Sequence, residues 1–431
     1  MTPRQLVFSL LQKAEKNRQY SNIALDHALE QSDLSSADRA LASILFYGVI
    51  ERRITLDYRL SALSARPIEQ LDGGVRTALR MGLYQLIYLD RIPPHAAIFE
   101  TVSLVPRKSA GFVNAILRAH TRAPKLVLPD PDQDPIASLS VAYSVSPAIC
   151  DLLIGIYGKE ETERILNGFC HPAPTTVRVN TLKTSRDALS AKLEGAEATE
   201  LSPTGLRIRG SVRELYGFEE GLFFVQDEAS QICVNAIGAK PGDRVADICA
   251  CPGSKSFGMA MDMQNQGEIL AFDLHQKKLP LIESGAKRLG LSIITCAARD
   301  GREFLPELEG ALDRVLCDVP CSGFGVLAKK PELRYKDPAE SAALPRIQTD
   351  ILENACRYVK AGGTLVYSTC TILPEENENN VRRFLARHPE FSLAPFPMGE
   401  KEITEGMITL FPHIHGTDGF FIAKMVRNEE V

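Results

Sequence analysis

The sequence contains no tryptophan, and none of its 10 cysteines lies before residue 150. Without tryptophan, any stacking on nucleic-acid bases would fall to the tyrosine and phenylalanine side chains. No apolar run reaches the roughly 18 residues that a membrane span requires, which excludes an integral membrane protein. The apolar stretch near the N-terminus is interrupted at Gln12, Lys13 and Glu15. A secretory signal is therefore not predicted, and we expect a cytoplasmic protein.

Signatures of metal and phosphate binding are also missing. There is no CxxC pair, and the spacing of Cys249 and Cys251 does not fit a zinc knuckle. His413 and His415 stand without partner ligands, so no metal cofactor is expected. No GxGxxG fingerprint occurs, and the segment that ends in 254–256 (SKS) is not a phosphate loop, because cysteine occupies position 249 where that motif has glycine.

The overall composition is that of an ordinary globular protein, with 45% apolar and 24% charged residues. At roughly 150 residues per domain, the length of 431 residues predicts about three domains. The net charge of −5 is unevenly distributed: residues 1–125 carry +6 and the rest −11. A basic N-terminal part is compatible with contact to nucleic acid, although a solvated helical surface would have the same composition.

Hydrophobic periodicity divides the chain into three predicted domains. Residues 1–128 carry apolar stripes at helical spacing and are predicted to form an all-helical bundle, with a helix cap at Ser35 or Ser36. A proline- and aspartate-rich segment, 129–135, is predicted as the first boundary. Residues 138–235 mix short strands and helices, which indicates a small α+β unit. Residues 236–431 alternate strands with helices.

The alternation in the C-terminal part predicts a doubly wound, mostly parallel α/β sheet. Its strands are predicted at 244–248, 268–272, 293–297, 314–317 and 364–368, and its helices at 255–263, 276–289 and 343–359. Ligands of such sheets bind beyond the carboxyl ends of the strands. The residues that follow each strand are therefore the candidates for a functional site.

Three of these strands end in a single acidic residue: Asp247, Asp273 and Asp300. Each has an ordinary alternative, since Asp273 could cap the next helix and Asp300 could serve a turn. The turn at 247–256 could likewise be a generic α/β loop. Together, three oxygen acceptors at one sheet edge suit the diol, amine and ammonium groups of a nucleoside cofactor such as S-adenosylmethionine.

Two further strand ends carry cysteines, Cys321 in the segment DVPC and Cys370 in the segment STC. A single cysteine at such a position is more often a buried core residue, as we expect for Cys317. Two thiols at strand ends of one sheet, the second followed by 374–377 (PEEN), instead favour a reactive pair.

Several motifs resemble the RNA (cytosine-C5)-methyltransferases of the NOL1/NOP2/Sun type, joined to a NusB-like domain. The methyltransferase segments are 247–256, 318–325 and 366–377, with an entry motif at 224–230 and an RNA-contacting motif at 178–180; the NusB-like segments are 91–102 and 111–118. One departure bears on the cofactor loop. The family usually has glycine where this chain has Ser254, and Cys251 and Ser256 differ from its alanine and threonine.

The resemblance implies a class I methyltransferase domain with a Rossmann-like sheet, which transfers a methyl group from S-adenosylmethionine to C5 of a cytosine in 16S ribosomal RNA. It assigns Cys370 as the nucleophile that attacks C6, and Cys321 to release of the product. The implied cofactor contacts are Cys249, Ala250, Cys251, Pro252, Gly253, Ser254, Lys255, Asp273, Asp300 and Asp318. The implied RNA contacts are Arg178, Asn180 and Lys255.

Other functions stay open from the sequence. The same chemistry on transfer RNA or another ribosomal site is one, and a catalytically silent RNA-binding or antitermination factor is another. The sequence does not define the oligomeric state, and a monomer without a membrane or metal partner is the expectation. Lys255 is a candidate to stabilise a thiolate, but it is equally well a solvated side chain.

The basic N-terminal part generates a first prediction. If its Lys and Arg side chains neutralise RNA phosphates, affinity for RNA should fall steeply as salt rises from about 50 to about 200 mM. Filter binding of labelled 16S transcripts across this range measures the slope. An affinity that does not change with salt would contradict phosphate binding by this part of the chain.

Overall fold

The computed structural model describes residues 1–17, 22–171 and 174–429. Contacts divide the chain into two compact units, which are described separately. The first unit comprises Met1–Asn167 together with Lys330–Pro338. The second comprises Gly168–Lys329 and Ala339–Val431.

The first unit is helical, as predicted. Its helices are α1 (Pro3–Asn17), α2 (Asn22–Glu30), α3 (Ser36–Glu51), α4 (Arg53–Leu63), α5 (Gly73–Tyr88), α6 (Pro94–Val102), α7 (Arg107–Arg122), α8 (Pro135–Tyr143), α9 (Pro147–Tyr157) and α10 (Lys159–Gly168, whose last residue belongs to the second unit). Ser35 caps α3, since its Oγ accepts the N–H of Asp38 at 3.2 Å, which confirms the cap predicted there. Buried leucines such as Leu56, Leu79 and Leu83 form the core.

Helices α8 to α10 lie beyond the proline-rich segment and belong to the first unit with the N-terminal helices. Thr55 on α4 donates its hydroxyl to the carbonyl of Val141 on α8, at 2.6 Å. The division between compact units falls at Asn167, and not at 129–135, because contacts of this kind continue across the prolines. The three-domain division of the sequence remains a prediction.

The segment Lys330–Pro338 is part of this helical unit although it lies far along the chain. Tyr335 donates its hydroxyl to the carbonyl of Ile50 (2.6 Å) and accepts the N–H of Arg53 (3.1 Å). Arg334 is fully buried and donates to the carbonyl of Tyr143 at 2.8 Å. These contacts satisfy carbonyl groups at the ends of α3 and α8.

No single helix in the described ranges is both long and apolar enough to cross a membrane. Helices α8 and α9 reach that length and hydropathy only when taken together, and they are bent by 117° relative to each other.

The second unit begins with a small four-stranded antiparallel sheet. Its elements are β1 (Thr175–Val179), α11 (Arg186–Ser190), β2 (Glu197–Ala198), β3 (Gly205–Ile208) and β4 (Phe223–Val225), with strand order β2-β3-β1-β4. Val177, Leu206 and Phe223 are among its fully buried core residues. This is the α+β unit that the sequence predicts.

The large sheet of the second unit is doubly wound and mostly parallel near its centre, which confirms the predicted fold class. Its elements are α12 (Glu228–Ile237), β5 (Arg244–Asp247), α13 (Ser254–Asp262), β6 (Glu268–Asp273), α14 (Leu279–Leu289), β7 (Ile294–Ala298), β8 (Leu312–Asp318), α15 (Leu344–Ala355), β9 (Val359–Thr369), α16 (Glu378–Arg387), β10 (Phe391–Leu393), β11 (Phe396–Met398), β12 (Lys401–Ile403), β13 (Met407–Leu410), α17 (Pro412–His415) and β14 (Phe420–Arg427). The order is β10-β14-β9-β8-β5-β6-β7, with β13 beside β14 and β11–β12 paired separately.

Strand β5 lies at the centre of the parallel part, with β6 on one side and β8 on the other. Successive residues of β5 face opposite cores: Val245 packs with the α12–α14 side, and Ala246 with the α15 side. Successive strands are added on one side of β5 as far as β7 and then on its other side from β8, so the carboxyl end of β5 is the topological switch point at which such sheets bind ligands.

The C-terminal strands β10, β13 and β14 were not predicted. They pair antiparallel, and β14 lies against β9 with Phe421 opposite Thr369. Just before β14, Gly419 donates its N–H to the carbonyl of Gly325 (2.8 Å), and Gly325 donates to the carbonyl of Cys370 (3.0 Å). Three segments of backbone thus meet beside one of the predicted cysteines.

This close approach yields a second prediction. A methyl group added at Gly325 would lie 1.9 Å from the carbonyl oxygen of Gly419, so Gly325→Ala should destabilise the protein by roughly 1–3 kcal/mol. Gly111→Ala is the control, because that helical glycine has no atoms within 4 Å of an added Cβ and should gain up to about 1 kcal/mol. Thermal unfolding measures both, and equal effects would contradict the backbone contact.

Candidate active site

The two predicted cysteines come together where β8 and β9 end. These strands pair in parallel with Asp318 opposite Ser368, so the loops that follow them leave the sheet side by side. The sulfur atoms of Cys321 and Cys370 lie 3.0 Å apart, and both side chains are half-buried. Cys317, one residue before the end of β8, is fully buried in the core as expected.

The surroundings of Cys321 favour its protonated form. The hydrogen bond to Cys370, together with burial, raises the pKa of Cys321 well above its usual value. The backbone N–H of Cys370 also donates to the sulfur of Cys321, at 3.2 Å. Cys321 is therefore a thiol at neutral pH, and its S–H can donate to the sulfur of Cys370.

Lys255 and Ser368 hold the carboxylate of Asp318. The Lys255 amine lies 2.6 Å from Oδ2 of Asp318, and the Ser368 hydroxyl donates to Oδ1 at 2.8 Å. Burial alone would lower the pKa of Lys255, but Asp318 and its other neighbours outweigh burial and raise the pKa above its usual value. Lys255 therefore stays charged, and its direct partner is the carboxylate of Asp318.

Asp247, at the end of β5, is a buried carboxyl group that is only partly satisfied. Its Oδ2 accepts the hydroxyl of Ser256 at 2.6 Å, whereas Oδ1 makes no hydrogen bond within the described chain. Burial raises the pKa of Asp247 to about 7. An unsatisfied buried acceptor of this kind suits a donor group of a bound ligand.

The loop between β5 and α13 approaches the end of β6. Ala250 donates its N–H to the carbonyl of Phe272 (2.7 Å), and Cys251 donates to Oδ2 of Asp273 (3.2 Å). The turn needs glycine at position 253, where φ is +105°. Ser254, by contrast, is the first residue of α13, so the serine that replaces the family's glycine there causes no backbone strain.

Asp273 and Asp300 are neighbours at this edge, but Asp300 is already paired. The N–H of Arg299 donates to the carbonyl of Asp273 at 3.0 Å. The carboxylate of Asp300 binds Arg302 at 2.5 Å, and this hydrogen bonding lowers the pKa of Asp300. Asp273 also accepts the N–H of His275 at 2.9 Å, but it does not cap the following helix: His275 precedes the helical turn that begins at Gln276, and no described side chain caps α14.

The sheet edge therefore combines Asp247, Asp273, Asp318 and the backbone of loop 249–254. Oxygen acceptors next to a glycine turn are the groups that an adenosine-plus-amino-acid cofactor requires. The orphaned Oδ1 of Asp247 is the observation that favours a ligand at this edge. Within the described residues, no group of three or more His, Cys, Asp or Glu side chains has the arrangement of a metal site.

The predicted RNA contacts at Arg178 and Asn180 are not supported, because both side chains are buried. Arg178 binds Asp262 on α13 at 2.5 Å. Asn180 donates to the carbonyls of Gly221 and Leu289, each at 2.9 Å. Strand β1 is an inner strand of its sheet, and this motif joins that sheet to α13 and α14 instead of facing solvent.

Two hydroxyl groups that orient the acidic residues are not predicted as site residues from the sequence. There, Ser256 marks only a departure from the family loop, and Ser368 is only part of a motif. A signal was available for Ser368, since it follows the apolar run 365–367 (LVY), and a polar side chain that continues such a run needs a partner; in the structure residues 363–369 of β9 are buried.

Comparison with known proteins identifies the family of the chain. Residues 234–426 match the family described as 16S rRNA methyltransferase RsmB/F, residues 1–122 match the NusB family, and residues 149–213 match the ferredoxin-like domain of RsmF/B-like methyltransferases. The chain is similar to a probable ribosomal RNA small subunit methyltransferase B of Synechocystis, with 37% identity over 99% of both chains. The chain belongs to the RsmB/F methyltransferase family.

A second relative extends the similarity. A probable ribosomal RNA small subunit methyltransferase B of Bacillus subtilis is 36% identical over 98% of both chains. Among solved structures, a methyltransferase homolog protein from Pyrococcus horikoshii has a TM-score of 0.59 and 30% identity, over 68% of this chain and 99% of that one. Membership of the family thus rests on similarity along the whole chain.

The raised pKa of Asp247 predicts a dependence of stability on pH. A carboxyl whose pKa is higher in the folded state stabilises the fold below its ordinary pKa, and this contribution is lost as pH rises through about 7. The difference between the Tm of the wild type and the Tm of Asp247→Asn should therefore become about 2–4 °C less favourable to the wild type from pH 5 to pH 8.

Calorimetry without cofactor measures this difference, and Asp300→Asn is its control. The lowered pKa of Asp300 places its titration below this range, so the Tm difference between wild type and Asp300→Asn should not change from pH 5 to pH 8. A constant difference for Asp247→Asn as well would contradict the raised pKa.

Proposed function

We propose that this protein transfers a methyl group from S-adenosylmethionine to C5 of a cytosine in 16S ribosomal RNA, through a covalent bond between Cys370 and C6. The observation that carries the proposal is the pair of thiols 3.0 Å apart at the carboxyl edge of the sheet. The relatives named as small subunit rRNA methyltransferases support the substrate.

The chemistry explains why a thiol is needed. C5 of cytosine is a weak nucleophile, and addition of the Cys370 thiolate to C6 makes C5 electron-rich, which replaces one difficult step with easier ones. S-adenosylmethionine supplies the methyl group from its electrophilic sulfonium. Release then requires that C5 lose its proton, that the C5–C6 double bond re-form, and that the sulfur of Cys370 leave as thiolate.

The second thiol has a distinct role in this scheme. Cys321 lies next to the sulfur that must leave, and it is protonated in the free protein, where it stabilises a thiolate at Cys370 through the S–H···S contact. Once Cys370 is bonded to C6, that anionic neighbour is gone and Cys321 loses its proton more readily. We assign to Cys321 the removal of the C5 proton during release.

Asp318 and the acceptors around the glycine turn complete the assignment. Lys255 and Ser368 fix the Asp318 carboxylate, which can accept a hydrogen bond from a protonated N3 of the cytosine or from the cofactor. The cofactor would be held by loop 249–255 together with Asp273 and Asp300, and the free Oδ1 of Asp247 suits an ammonium group. These residues bind and orient, and the two thiols move protons and form the covalent bond.

The RNA must present an unpaired cytosine to this site. A base stacked in a helix cannot reach a thiol at a sheet edge, so the target is a loop nucleotide or one that has been flipped out. The helical residues 1–128, with their basic excess, are proposed to bind phosphates and position the RNA. Transfer RNA is the alternative substrate that should be tested first.

Substitution of the two cysteines tests the proposal directly. Cys370→Ala should lower methyl transfer to 16S transcripts by about 10³-fold or more while leaving cofactor affinity unchanged, because only the covalent step is removed. Cys321→Ala should instead trap a protein–RNA adduct, visible as a slow band on a denaturing gel. Transfer of labelled methyl groups and calorimetry of cofactor binding provide the readouts.

Cys296→Ala, a half-buried cysteine on β7, is the matched control and should behave as the wild type. Methylation of transfer RNA in place of 16S RNA would show that the proposed substrate is wrong. Unchanged methyl transfer by Cys370→Ala would contradict the covalent mechanism. Failure to bind S-adenosylmethionine would favour a silent RNA-binding factor.

A further inference from the structure

A buried carboxylate close to the thiol pair has no part in the chemistry proposed above. Glu376 follows Cys370 by six residues and is 2% exposed. Its Oε2 accepts the backbone N–H of Ser322 at 3.0 Å and the Nε2 amide of Gln348 at 2.7 Å. A carboxylate is costly to bury, so a site that keeps one has specific donors for it.

Contacts of Glu376 and Gln348 flank Cys321 on both sides. Ser322 is the residue after the cysteine, and Pro320 is the residue before it. The amide of Gln348, a fully buried residue on α15, donates to the carbonyl of Pro320 at 2.9 Å as well as to Glu376. Glu376 and Gln348 therefore fix the peptide groups on either side of the Cys321 thiol.

The next residue in the chain does the same for the other cysteine. Asn377 accepts the hydroxyl of Thr369 at 2.6 Å and donates to the carbonyl of Thr371 at 3.0 Å. Thr369 and Thr371 are the neighbours of Cys370, so Asn377 holds both of its flanks. Asn377 is also fully buried.

A direct contact links the two flanks. The hydroxyl groups of Ser322 and Thr371 lie 2.7 Å apart. The adjacent pair Glu376 and Asn377 thus forms a single anchor: each residue fixes one cysteine loop, and the backbone between them limits how far the loops can separate. Tyr367 strengthens this anchor, since its hydroxyl donates to the carbonyl of Glu376 at 2.6 Å.

We propose that Glu376 and Asn377 are positioning residues for the thiol pair, Glu376 setting the place of Cys321 for release of the methylated RNA and Asn377 setting the place of Cys370 for attack. The proposal rests on the covalent mechanism above. It assigns opposite consequences to two neighbouring residues, which a general effect on folding cannot produce.

The charge of Glu376 adds a second consequence. The hydrogen bond to Cys370 and burial are the main causes of the raised pKa of Cys321. The charge of the nearby Glu376 carboxylate is a smaller cause that acts in the same direction. Glu376→Gln keeps an oxygen that accepts the same two donors but removes the charge. This variant therefore separates the positioning by hydrogen bonds from the effect of the charge on proton affinity.

The adduct assay distinguishes the two residues. Glu376→Ala should accumulate at least ~10-fold more covalent protein–RNA adduct than the wild type, because displacement of Cys321 slows release. Asn377→Ala should lower the rate of methyl transfer by at least ~10-fold without accumulating adduct, because displacement of Cys370 slows attack. Glu376→Gln should return the adduct to near the wild-type level.

The controls are the exposed Glu375 and the half-buried Asn379, whose side chains hydrogen-bond each other at 3.1 Å. Glu375→Ala and Asn379→Ala should match the wild type in both assays. Cys321→Ala reports on the mechanism itself. If it traps no adduct, the proposed function fails; if it does and Glu376→Ala does not, this inference alone is overturned.

A second measurement does not require that Glu376→Ala fold. In a Cys370→Ala background, alkylation of Cys321 by iodoacetamide can be followed against pH by peptide mass spectrometry. Glu376→Gln should shift this titration to lower pH, since an anion that favoured the protonated thiol is gone. An unchanged titration, or equal losses of attack and release in both alanine variants, would overturn the proposal.

Discussion

The parallel pairing of β8 with β9 is the constraint on which the site depends. Neighbouring strands lie about 4.8 Å apart, so two loops that leave adjacent strands at the same level begin within reach of each other. The register that places Asp318 opposite Ser368 puts both cysteines just beyond that level. A slip by one residue would turn the inward side chains to the opposite face and separate the groups that must meet.

Few buried charges lie near these loops, and an ion pair or hydrogen bonds hold each of them. Lys255 and Asp318 neutralise each other, whereas Asp247 avoids a charge in the interior because its proton affinity is high. Isolated buried charges are strongly unfavourable, and removal of one partner of a buried pair leaves the other exposed to that penalty. The hydroxyls of Ser256 and Ser368 orient the carboxyl groups without adding charge.

Much of the catalytic sheet could be predicted because its signals are local. Apolar strands alternate with helical stretches, and acidic or cysteine residues stand where the strands end, so Asp247, Cys321 and Cys370 were found by position alone. The antiparallel strand β14 was missed, since the alternation of strand and helix that marks the parallel part stops before it.

Contacts between distant segments could not be read from the sequence. The motif at 178–180 contains polar residues in an otherwise apolar strand, and only the packing of β1 against α13 shows that Arg178 is buried. The burial of Glu376 could not be predicted either. Its exposed neighbour Glu375 has the same side chain, and no local sequence signal shows which of the two is buried. Burial decides their different roles, and burial is a property of the folded chain.

The segment Lys330–Pro338 has a consequence for how this protein can be taken apart. Arg334 is buried in the helical unit and Tyr335 packs against its core, yet the chain reaches them from β8 and returns to α15. A fragment that ended at Asn167 would therefore lack Arg334 and Tyr335. In the complementary fragment, separated from the first, these two side chains would be exposed to water. The two units are interlaced in sequence, so neither is a detachable module.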